Sequence, residues 1–378
     1  MLDIYKMTKR LGVFVFYDAS GIVDDYVEEL LKSLVDELNK LVIVVNGLIT
    51  GMSKKKLKKY SNNIFLRENK GFDAGAYKDV FLNFLKDEDW EQWDEVILCN
   101  DTFYGPIFPW KIVFNKMYIY KNIGFWGLSR YPGDEIISDE EGYPNHIQSY
   151  FLVCRKNLIT SSFFWEFWYS MDYPKTRLEA TRKFEINFSL FFAEKHIYGM
   201  AYTDLFEIFG KIQYKGSPYI YYVFNLLKEI QFPIIKRNAL TITNFKKSKL
   251  ALEYIKNKTN YNVNLIYVHL KRLAEEKCLQ SINPYQLEKF YNAHTRVYIY
   301  GFGEYGQNIA DYFEYKGWKY SGFIVSDNQM HEGEILQFDN VKFSIEDGVI
   351  LALGTKAYQE VYPVVKKSLN ANQIFTWQ

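Results

Sequence analysis

Short apolar runs alternate with amphipathic segments through the first hundred residues of this chain. The apolar runs have the length of buried strands, and they lie at 11–17, 41–45, 63–66 and 95–99. Between them, apolar side chains recur at helical spacing in segments 24–38 and 74–85. Segment 53–60 is predicted as a short basic helix, with a solvated face as the first interpretation and phosphate binding as the alternative. Strands that alternate with helices form βαβ units, and such units build a mainly parallel sheet. The pattern therefore predicts an α/β fold.

The rest of the chain divides into a middle part and a C-terminal part. Residues 110–215 are rich in aromatic side chains, most of which we expect to pack in a core. Segment 216–293 is mostly helical and charged, which is typical of a connector. A new alternation of strands and helices then begins. We predict a domain at 1–215, a helical connector at 216–293 and a small α/β module at 294–378.

The chain carries almost no net charge. Its 46 Lys and Arg residues balance 45 Asp and Glu residues, which leaves a formal charge of +1. Such a balance gives no global attraction to nucleic acid or to an anionic membrane. The longest apolar stretches, such as 41–45, are far shorter than the roughly 20 residues of a membrane span. We expect a protein that is soluble or peripheral to a membrane and that has no nucleic-acid partner.

The cysteines indicate a reducing environment. Cys99, Cys154 and Cys278 are widely spaced and form neither a metal-ligand pattern nor a disulfide framework. Cys99 and Cys154 lie inside apolar runs and are expected to be buried thiols. Unpaired thiols are typical of the cytoplasm. The sequence therefore predicts a cytoplasmic protein.

Glycine and polar residues are concentrated in segment 67–78, directly after the third predicted strand. Gly71 and Gly75 allow the backbone to adopt a positive φ and to approach a ligand closely. Asp73 and Asn69 offer a carboxylate and an amide to a nucleotide base or a ribose. The alternative is a plain helix start with Asp73 as the N-cap residue.

A second polar turn, Asn100-Asp101, follows the fourth predicted strand. Ligands collect at the carboxyl ends of parallel strands, so this turn and segment 67–78 are expected to build one site. The Asp101 carboxylate is an oxygen ligand of the kind that Mg²⁺ or Mn²⁺ prefers, and it would hold a metal bound to a diphosphate. Arg67 and Lys78 would meet the diphosphate directly. The alternative is a plain Asn-Asp turn.

Several motifs, taken in order, resemble the rhamnan synthesis protein F family. They are RENKGFDAGAYK, LCNDTFYGP, FWGLS, HIQSYFLV, FEINFS, FPIIKRNAL and YNVNLIYVHLKR. Together they cover most of residues 10–275, and the family consists of predicted glycosyltransferases of bacterial surface polysaccharide assembly. The resemblance implies a GT-A-like nucleotide-sugar fold and transfer of rhamnose or a related sugar. It also implies a nucleotide-diphosphate sugar donor, with dTDP-rhamnose as a candidate, and a glycan or lipid-linked acceptor.

The resemblance also assigns roles to the two polar loops. The residues that it places at the donor are Asn69, Gly71, Asp73 and Gly75. Asn100-Asp101 stands where GT-A enzymes often carry an Asp-x-Asp metal motif. Only one carboxylate is present in this turn. Either Asp101 holds Mg²⁺ or Mn²⁺, or Arg67 or Lys78 supplies the positive charge instead.

An inverting transferase needs a general base that takes the proton of the acceptor hydroxyl. The first candidate is Glu185, at the start of a predicted helix at 184–193, where related GT-A sequences place an acidic residue. Its alternative role is that of a first-turn acid favoured by the helix dipole. His146 is the second candidate, with a packed or surface imidazole as the alternative. Asp18, at the end of the first strand, would help to hold the nucleotide.

The C-terminal module carries a glycine motif of the kind that binds dinucleotides. Gly301-x-Gly303-x-x-Gly306 follows a predicted strand and opens a helix, and Asp327 lies about 20 residues further on. The module has only about half the size of a full dinucleotide-binding domain. It resembles the small Rossmann-like modules attached to sugar-modifying enzymes. Nucleotide binding and a structural or docking role both stay open.

These observations lead to one leading hypothesis and two alternatives. The leading hypothesis is an inverting glycosyltransferase of cell-surface polysaccharide synthesis, working in the cytoplasm or peripherally at the inner face of the membrane. The first alternative is an NAD-dependent enzyme built on the C-terminal module. The second is a non-catalytic glycan-binding protein, which the shortened Asp-x-Asp motif would fit.

Overall fold

The structure is a computed structural model with side chains. It describes residues 8–131, 133, 144–205, 218–241, 244–275, 284–326 and 335–376. The chain forms two compact units. Unit 1 is Met1–Tyr219 together with Gln231–Ile235, and unit 2 is Ile220–Ile230 together with Lys236–Gln378. The domain boundaries predicted from the sequence stay predictions.

Unit 1 is built on an eight-stranded sheet. Its strands are β1 (Arg10–Phe16), β2 (Lys40–Asn46), β3 (Asn63–Arg67), β4 (Glu95–Asn100), β6 (Phe125–Tyr131), β7 (His146–Ile147), β8 (Phe151–Arg155) and β9 (Gly199–Thr203). Strand β5 (Phe103–Tyr104) lies outside this sheet. The order is β3-β2-β1-β4-β8-β6-β7, and β9 pairs with β6. The predicted α/β class with a large, mainly parallel sheet is confirmed.

One antiparallel strand, β8, determines which strand ends lie at the same edge of the sheet. Strands β1 to β4 are parallel to one another. Strand β8 runs antiparallel to both of its neighbours, β4 and β6, and β6 is parallel to β9. Strands β6 and β9 therefore run in the same direction as β1 to β4. The carboxyl ends of all these strands share one edge with the amino end of β8, and we call it the carboxyl edge.

Helices connect the strands of unit 1. They are α1 (Asp25–Val35), α2 (Gly51–Lys58), α3 (Phe72–Asp79), α4 (Trp110–Tyr118), α5 (Lys156–Ile159), α6 (Ser162–Ser170), α7 (Arg177–Ala180) and α8 (Asn187–Glu194). Two π-helical turns interrupt the helices predicted at 74–85 and 184–193. One is Val80–Phe84, directly after α3, and the other is Thr181–Ile186, between α7 and α8.

Aromatic side chains pack the two π-helical turns and α6 into one core. Phe81 lies with its ring centroid 4.9 Å from those of Phe164 and Trp168. Trp168 in turn lies 5.5 Å from Phe184, in the second π-helical turn. All four side chains are buried together with apolar residues of the sheet. This packing fixes the polar residues of both π-helical segments relative to the carboxyl edge.

Unit 2 contains a smaller, fully parallel sheet. Its strands are β11 (Arg296–Tyr300), β12 (Phe323–Val325), β13 (Ile335–Gln337), β14 (Asp347–Leu351) and β15 (Ile374–Phe375), in the order β13-β12-β11-β14-β15. Every pairing in it is parallel. Strand β10 (Ile235–Lys236) lies at the border between the units. The helices from here on are α9 (Pro218–Tyr221), α10 (Val223–Ile230), α11 (Phe245–Lys258), α12 (Asn264–Glu275), α13 (Pro284–Asn292), α14 (Glu304–Lys316) and α15 (Thr355–Ser368).

A buried carboxylate joins two strands of this smaller sheet. Asp347, at the start of β14, accepts hydrogen bonds from Arg296 Nε at 2.8 Å and Arg296 Nη2 at 2.6 Å. It also accepts the Ser344 backbone N–H at 2.6 Å. Burial alone would raise the pKa of Asp347, but these hydrogen bonds outweigh burial and hold the pKa below its usual range.

Within the described ranges, none of the helices is both long enough and apolar enough to cross a bilayer. Cys99 and Cys154 are buried free thiols, as the sequence predicts. Burial raises the pKa of both, so they stay protonated and unreactive. Cys278 lies outside the described residues.

Candidate functional site

The two polar loops of unit 1 are in direct contact at the carboxyl edge. Asn100, the last residue of β4, donates from Nδ2 to Asp73 Oδ2 at 2.9 Å. Its Oδ1 accepts the backbone N–H and the hydroxyl of Thr102, at 3.2 and 2.6 Å. These bonds fix the orientation of the Asn100 amide. A single polar surface therefore runs from the start of α3 to the end of β4.

Asp73 is the central carboxylate of this surface. Burial raises its pKa above the usual range, while hydrogen bonds from Asn100 and from the Ala74 backbone N–H oppose that shift. The negative charge of Glu185 adds to the upward shift of the Asp73 pKa. A carboxylate in these surroundings has a strong tendency to recruit a hydrogen-bond donor or a cation.

Two glycines shape the backbone before and inside α3. Gly71 is the N-cap residue and has φ +78°. The helix thus begins before Asp73, and the alternative of Asp73 as N-cap is wrong. A Cβ atom on Gly75 would lie 2.2 Å from the Lys70 carbonyl oxygen, so only glycine fits there. Phe72 also has a positive φ, +57°, and its carbonyl accepts Asn46 Nδ2 at 3.0 Å.

The two cations proposed for the diphosphate are already engaged within the protein. Arg67 donates to Asp79 Oδ2 at 2.7 Å, to Asn46 Oδ1 at 2.6 Å and to the Lys70 carbonyl at 2.7 Å. Lys78 Nζ donates to the carbonyl of Tyr169, in the last turn of α6, and to the carbonyl of Met171, directly after α6. Burial lowers the pKa of Lys78. A diphosphate role for either side chain would require it to exchange these partners.

Glu185 lies inside the π-helical turn Thr181–Ile186. It is preceded by α7, so it is not a first-turn acid, and that alternative is wrong. Its Oε2 accepts the backbone N–H and the hydroxyl of Ser149, at 2.8 and 2.7 Å. Its Oε1 lies 3.2 Å from His146 Nε2. The Glu185 side chain is 18% exposed, so it is not fully enclosed by the protein.

His146 is held at both ring nitrogens. Its Nδ1 lies 2.7 Å from the Pro144 carbonyl, which can only accept, so Nδ1 carries a proton. Its Nε2 lies 3.2 Å from Glu185 Oε1, so both ring nitrogens contact an oxygen atom of the protein. The ring also stacks on Tyr131, and the side chain is only 3% exposed. A histidine so enclosed can orient Glu185 but does not itself reach a substrate.

The remaining residues predicted for the donor lie on the periphery. Asp18 follows β1, and its Oδ1 accepts the backbone N–H groups of Ser20 and Ile22, both at 3.0 Å. This carboxylate therefore shapes a turn at the carboxyl edge. Asn69 is exposed in the loop that leads to Gly71.

Asp101 is buried beside the contact between the two loops. It is 6% exposed, and its backbone carbonyl accepts the Tyr26 hydroxyl at 3.1 Å. In the described part of the chain, no group of three or more His, Cys, Asp or Glu side chains is close enough to hold a metal ion. The protein's own donor set at Asp101 is thus too small for a closed metal site, and a metal there would need oxygens from the substrate.

Three further residues belong to the site although the sequence interpretation missed them. Ser149 provides two of the hydrogen bonds to Glu185. Arg130, near the end of β6, is paired across the sheet with Ile147, the neighbour of His146. The Nε atom of Arg130 lies 3.6 Å from Asp204 Oδ2. The buried Tyr77 hydroxyl has no hydrogen-bond partner among the described residues. Their sequence signal is position: Tyr77 and Ser149 lie inside two of the motifs that resemble the family, and Arg130 directly follows a third.

The glycine motif of unit 2 has the backbone form that such motifs require. Gly301 follows β11 with φ +104°. A Cβ on Gly306 would lie 2.0 Å from the Gly301 carbonyl oxygen, whereas one on Gly303 would meet nothing within 4 Å. Gly303 is thus the position at which a ligand would find free space. Asp327, the predicted acidic partner, lies outside the described residues.

Several solved structures are similar to part of the chain. A 4-diphosphocytidyl-2C-methyl-D-erythritol synthase from Anaerococcus prevotii is 15% identical, with TM-score 0.35, over 52% of this chain and 88% of that one. A cytidylyltransferase from Leptospira borgpetersenii is 12% identical, with TM-score 0.31, over 52% and 76%. A protein described as a nucleotide-diphospho-sugar transferase, from Desulfovibrio desulfuricans, is 13% identical, with TM-score 0.32, over 52% and 80%.

Comparison at the level of sequence gives a clearer result. No curated protein matches the chain. One protein family does, over residues 41–300, a range that includes both polar loops, His146 and Glu185. The matched range is more than half of the 378 residues. The chain belongs to the rhamnan synthesis protein F family.

Proposed function

We propose that unit 1 is a glycosyltransferase with a GT-A-like fold that works in the cytoplasm. It moves a sugar, rhamnose or a close relative, from a nucleotide-diphosphate donor such as dTDP-rhamnose to a glycan or lipid-linked acceptor. The observation that carries this proposal is the Asn100–Asp73 contact, which joins the two polar loops, together with the Glu185 carboxylate that Ser149 and His146 hold. Membership of the rhamnan synthesis protein F family supports the reaction class.

The donor is bound by the two polar loops. Gly71 and Gly75 allow the tight backbone turn that starts α3 and brings Asp73 beside Asn100. Asp73 accepts hydrogen bonds from sugar or ribose hydroxyls, because its half-buried carboxylate lies at the carboxyl edge. Asp18 fixes the turn after β1, beside which the base would lie.

Glu185 is the general base in this proposal. The acceptor hydroxyl oxygen attacks the anomeric carbon from the face opposite to the diphosphate. As the new C–O bond forms, the bond to the diphosphate breaks, and the nucleoside diphosphate leaves with the electron pair. Glu185 takes the proton of the hydroxyl. The configuration at the anomeric carbon is therefore inverted.

Ser149 and His146 position the base. Ser149 holds Oε2 through two hydrogen bonds, and His146 holds Oε1. Because both ring nitrogens of His146 have partners, the ring is fixed in place and holds the orientation of Glu185. This arrangement favours Glu185 over His146 among the two bases predicted from the sequence.

Positive charge at the leaving diphosphate has several candidate sources. Arg67 and Lys78 are engaged elsewhere, as described above. Arg130 is held less tightly, since its contacts with Asp204 and Asn145 are 3.6 and 3.5 Å long. We therefore add Arg130 as the side chain that meets the diphosphate. If Mg²⁺ or Mn²⁺ takes part, Asp101 would bind it together with donor oxygens, and the metal would neutralise the charge of the departing group.

Glu185→Gln tests the base directly. The amide cannot take a proton, so we expect kcat to fall by about a hundredfold or more. The dissociation constant of the nucleotide-sugar donor should stay within about threefold of the wild-type value, since Glu185 does not hold the donor. Transfer kinetics and calorimetry measure the two quantities. Glu179→Gln, a half-exposed carboxyl on α7, is the matched control and should keep the wild-type kcat.

Either of two outcomes would contradict this assignment. Unchanged kcat in Glu185→Gln would remove Glu185 as the base. Loss of donor binding equal to the loss of kcat would make Glu185 a binding residue instead. Absence of transfer and of donor hydrolysis across a panel of nucleotide sugars in the wild-type protein would favour the non-catalytic glycan-binding alternative.

A second candidate function rests on unit 2. Its five strands are all parallel, and Gly301 and Gly306 have the close packing that a dinucleotide motif needs, which supports a Rossmann-like module. An NAD-dependent activity would require NAD(H) to bind at Gly303. Calorimetry with NAD(H) and with nucleotide sugars separates the two functions, and Gly303→Val, which fills the free space, should abolish only NAD(H) binding.

A further inference from the structure

Helix α2 presents an unusual outward face in unit 1. Ser53 and Leu57 point inward and are 3% and 0% exposed. The residues on the other side are all exposed, and they are Gly51, Met52, Lys54, Lys55, Lys58 and Lys59. Met52 is 75% exposed, and Leu48 in the preceding loop is 70% exposed. We call Leu48, Met52, Lys54, Lys55 and Lys58 the α2 patch.

The α2 patch is held rigidly from below. Thr50 caps the helix by accepting the Ser53 backbone N–H at 3.1 Å. Ser53 Oγ accepts the backbone N–H of Val23 at 2.9 Å, which ties the helix to the loop before α1. Leu57 fills the core beneath. The outward side chains are therefore exposed because the helix is fixed in this orientation, not because it is loosely attached.

The lysines of the patch are not neutralised within the protein. Lys56 pairs with Asp25 and Glu28, at 2.6 and 2.9 Å, and Lys59 pairs with Glu28 at 2.9 Å. Lys54, Lys55 and Lys58 form no ion pair in the part of the chain that the structure describes. Their charge is local, since the whole chain is almost neutral at +1. The patch is therefore a basic spot on a balanced surface.

We propose that the α2 patch docks unit 1 onto an anionic lipid surface. Lysines near such a surface are attracted to its headgroups, and exposed aliphatic side chains gain by entering the boundary between headgroups and acyl chains. The combination in one place is what favours lipid over nucleic acid. A nucleic acid would use the lysines but would gain nothing from Leu48 and Met52.

The patch also lies where docking would matter. Leu48 follows β2 by two residues, so the apolar part of the patch is at the carboxyl edge, where the candidate active site lies. Docking would bring this edge close to a membrane that carries a lipid-linked acceptor. This consequence rests on the proposed glycosyltransferase function, whereas the docking itself does not.

Vesicle sedimentation tests the proposal with the full chain. Wild-type protein should bind vesicles of phosphatidylcholine with phosphatidylglycerol, and bind those of phosphatidylcholine alone far more weakly. The triple variant Lys54→Gln, Lys55→Gln, Lys58→Gln keeps good helix formers and should lose about a hundredfold in binding to the anionic vesicles. Added salt should weaken wild-type binding in the same direction. Leu48→Ser with Met52→Ser should lose roughly tenfold even at low salt.

A matched control separates the patch from net charge. Lys86, Lys121 and Lys175 are exposed elsewhere on unit 1. Their triple replacement by Gln removes the same charge and should leave vesicle binding unchanged. Equal loss in both triple variants would overturn the proposal, as would the absence of vesicle binding or binding to RNA in its place. Transfer to a water-soluble acceptor should be the same in the α2 variant and wild type, so failure of the proposed transferase activity would be seen separately.

Discussion

At the scale of single residues, the Tyr77 hydroxyl stands out. It is buried without a hydrogen-bond partner among the described residues. Burial, and then the negative charges of Asp73 and Asp101, raise its pKa well above the usual range, so it remains a proton donor. Tyr26, on α1, is similarly buried, but its hydroxyl donates to the Asp101 carbonyl at 3.1 Å. The two tyrosines form a natural pair for comparison.

Tyr77→Phe should leave the free energy of unfolding within about 0.5 kcal/mol of wild type, because no hydrogen bond is lost. Tyr26→Phe should cost about 0.5–1.5 kcal/mol, because the Asp101 carbonyl loses its donor. Urea unfolding measures both. A clear loss of stability in Tyr77→Phe would mean that its hydroxyl has a partner, such as a bound water. Weaker donor binding at unchanged stability would place the hydroxyl in the donor site.

Residue roles were the hardest feature to predict from the sequence. Glu185 was chosen as a base for its type and region, but its support by Ser149 spans 36 residues of chain. Arg67 looked available for a diphosphate because its partners lie 12 and 21 residues away, at Asp79 and Asn46. Hydrogen bonds between distant residues leave no local pattern. The sequence could indicate which side chains reach the carboxyl edge but not which of them stay uncommitted.

At the scale of elements, the start of α3 depends on close backbone packing. A Cβ on Gly75 would lie 2.2 Å from the Lys70 carbonyl, while one on Gly303, at the start of α14, would meet nothing. Gly75→Ala should therefore cost about 1–3 kcal/mol from overpacking, partly offset by better helix propensity. Gly303→Ala should be close to neutral. Chemical denaturation compares them, and equal stability would show that the Lys70 carbonyl can move aside freely.

The buried strands were largely predictable from the sequence, whereas the direction of β8 and the π-helical turns were not. Strands β1, β2 and β4 are buried on both faces, and such strands appear in a sequence as unbroken apolar runs. The antiparallel direction of β8 has no such signal, because a run of buried residues looks the same in either direction. The π-helical turn at Thr181–Ile186 shifts the helical register without changing the polar and apolar content. The sequence therefore did not indicate that Glu185 lies inside a π-helical turn.

At the scale of the whole molecule, each unit can be perturbed separately. In unit 2, Asp347 has a pKa below its usual range because Arg296 and Ser344 overcome the effect of burial. Its contribution to stability is thus present above the unfolded pKa of about 3.9, and it is lost as the pH falls through the lower folded value. Burial of the Asp347 side chain, at 1% exposure, makes the contact hard to replace by water.

Asp347→Asn should cost about 1–3 kcal/mol at pH 7, because the amide cannot accept both Arg296 hydrogen bonds. The difference from wild type should shrink in acid, below about pH 4. Hydrogen exchange at pH 7 should show lost protection in β11 and β14, and urea unfolding follows the pH dependence. Asp339→Asn, at an exposed position, is the control. A difference that stays constant in acid would mean that the Asp347 charge does not contribute.

The return of Gln231–Ile235 to unit 1 has a practical consequence. The Ile107 backbone N–H donates to the Pro233 carbonyl at 2.6 Å, just beyond the Asp101 turn. A fragment that stops at Tyr219 would lack Pro233, so the Ile107 backbone N–H would lose its acceptor. One that stops at Ile235 would keep it, but would carry Leu226 and Leu227, which are 2% and 0% exposed and belong to unit 2. No single cleavage of the polypeptide releases either unit intact, so a gene for unit 1 alone needs a redesigned join across 220–230.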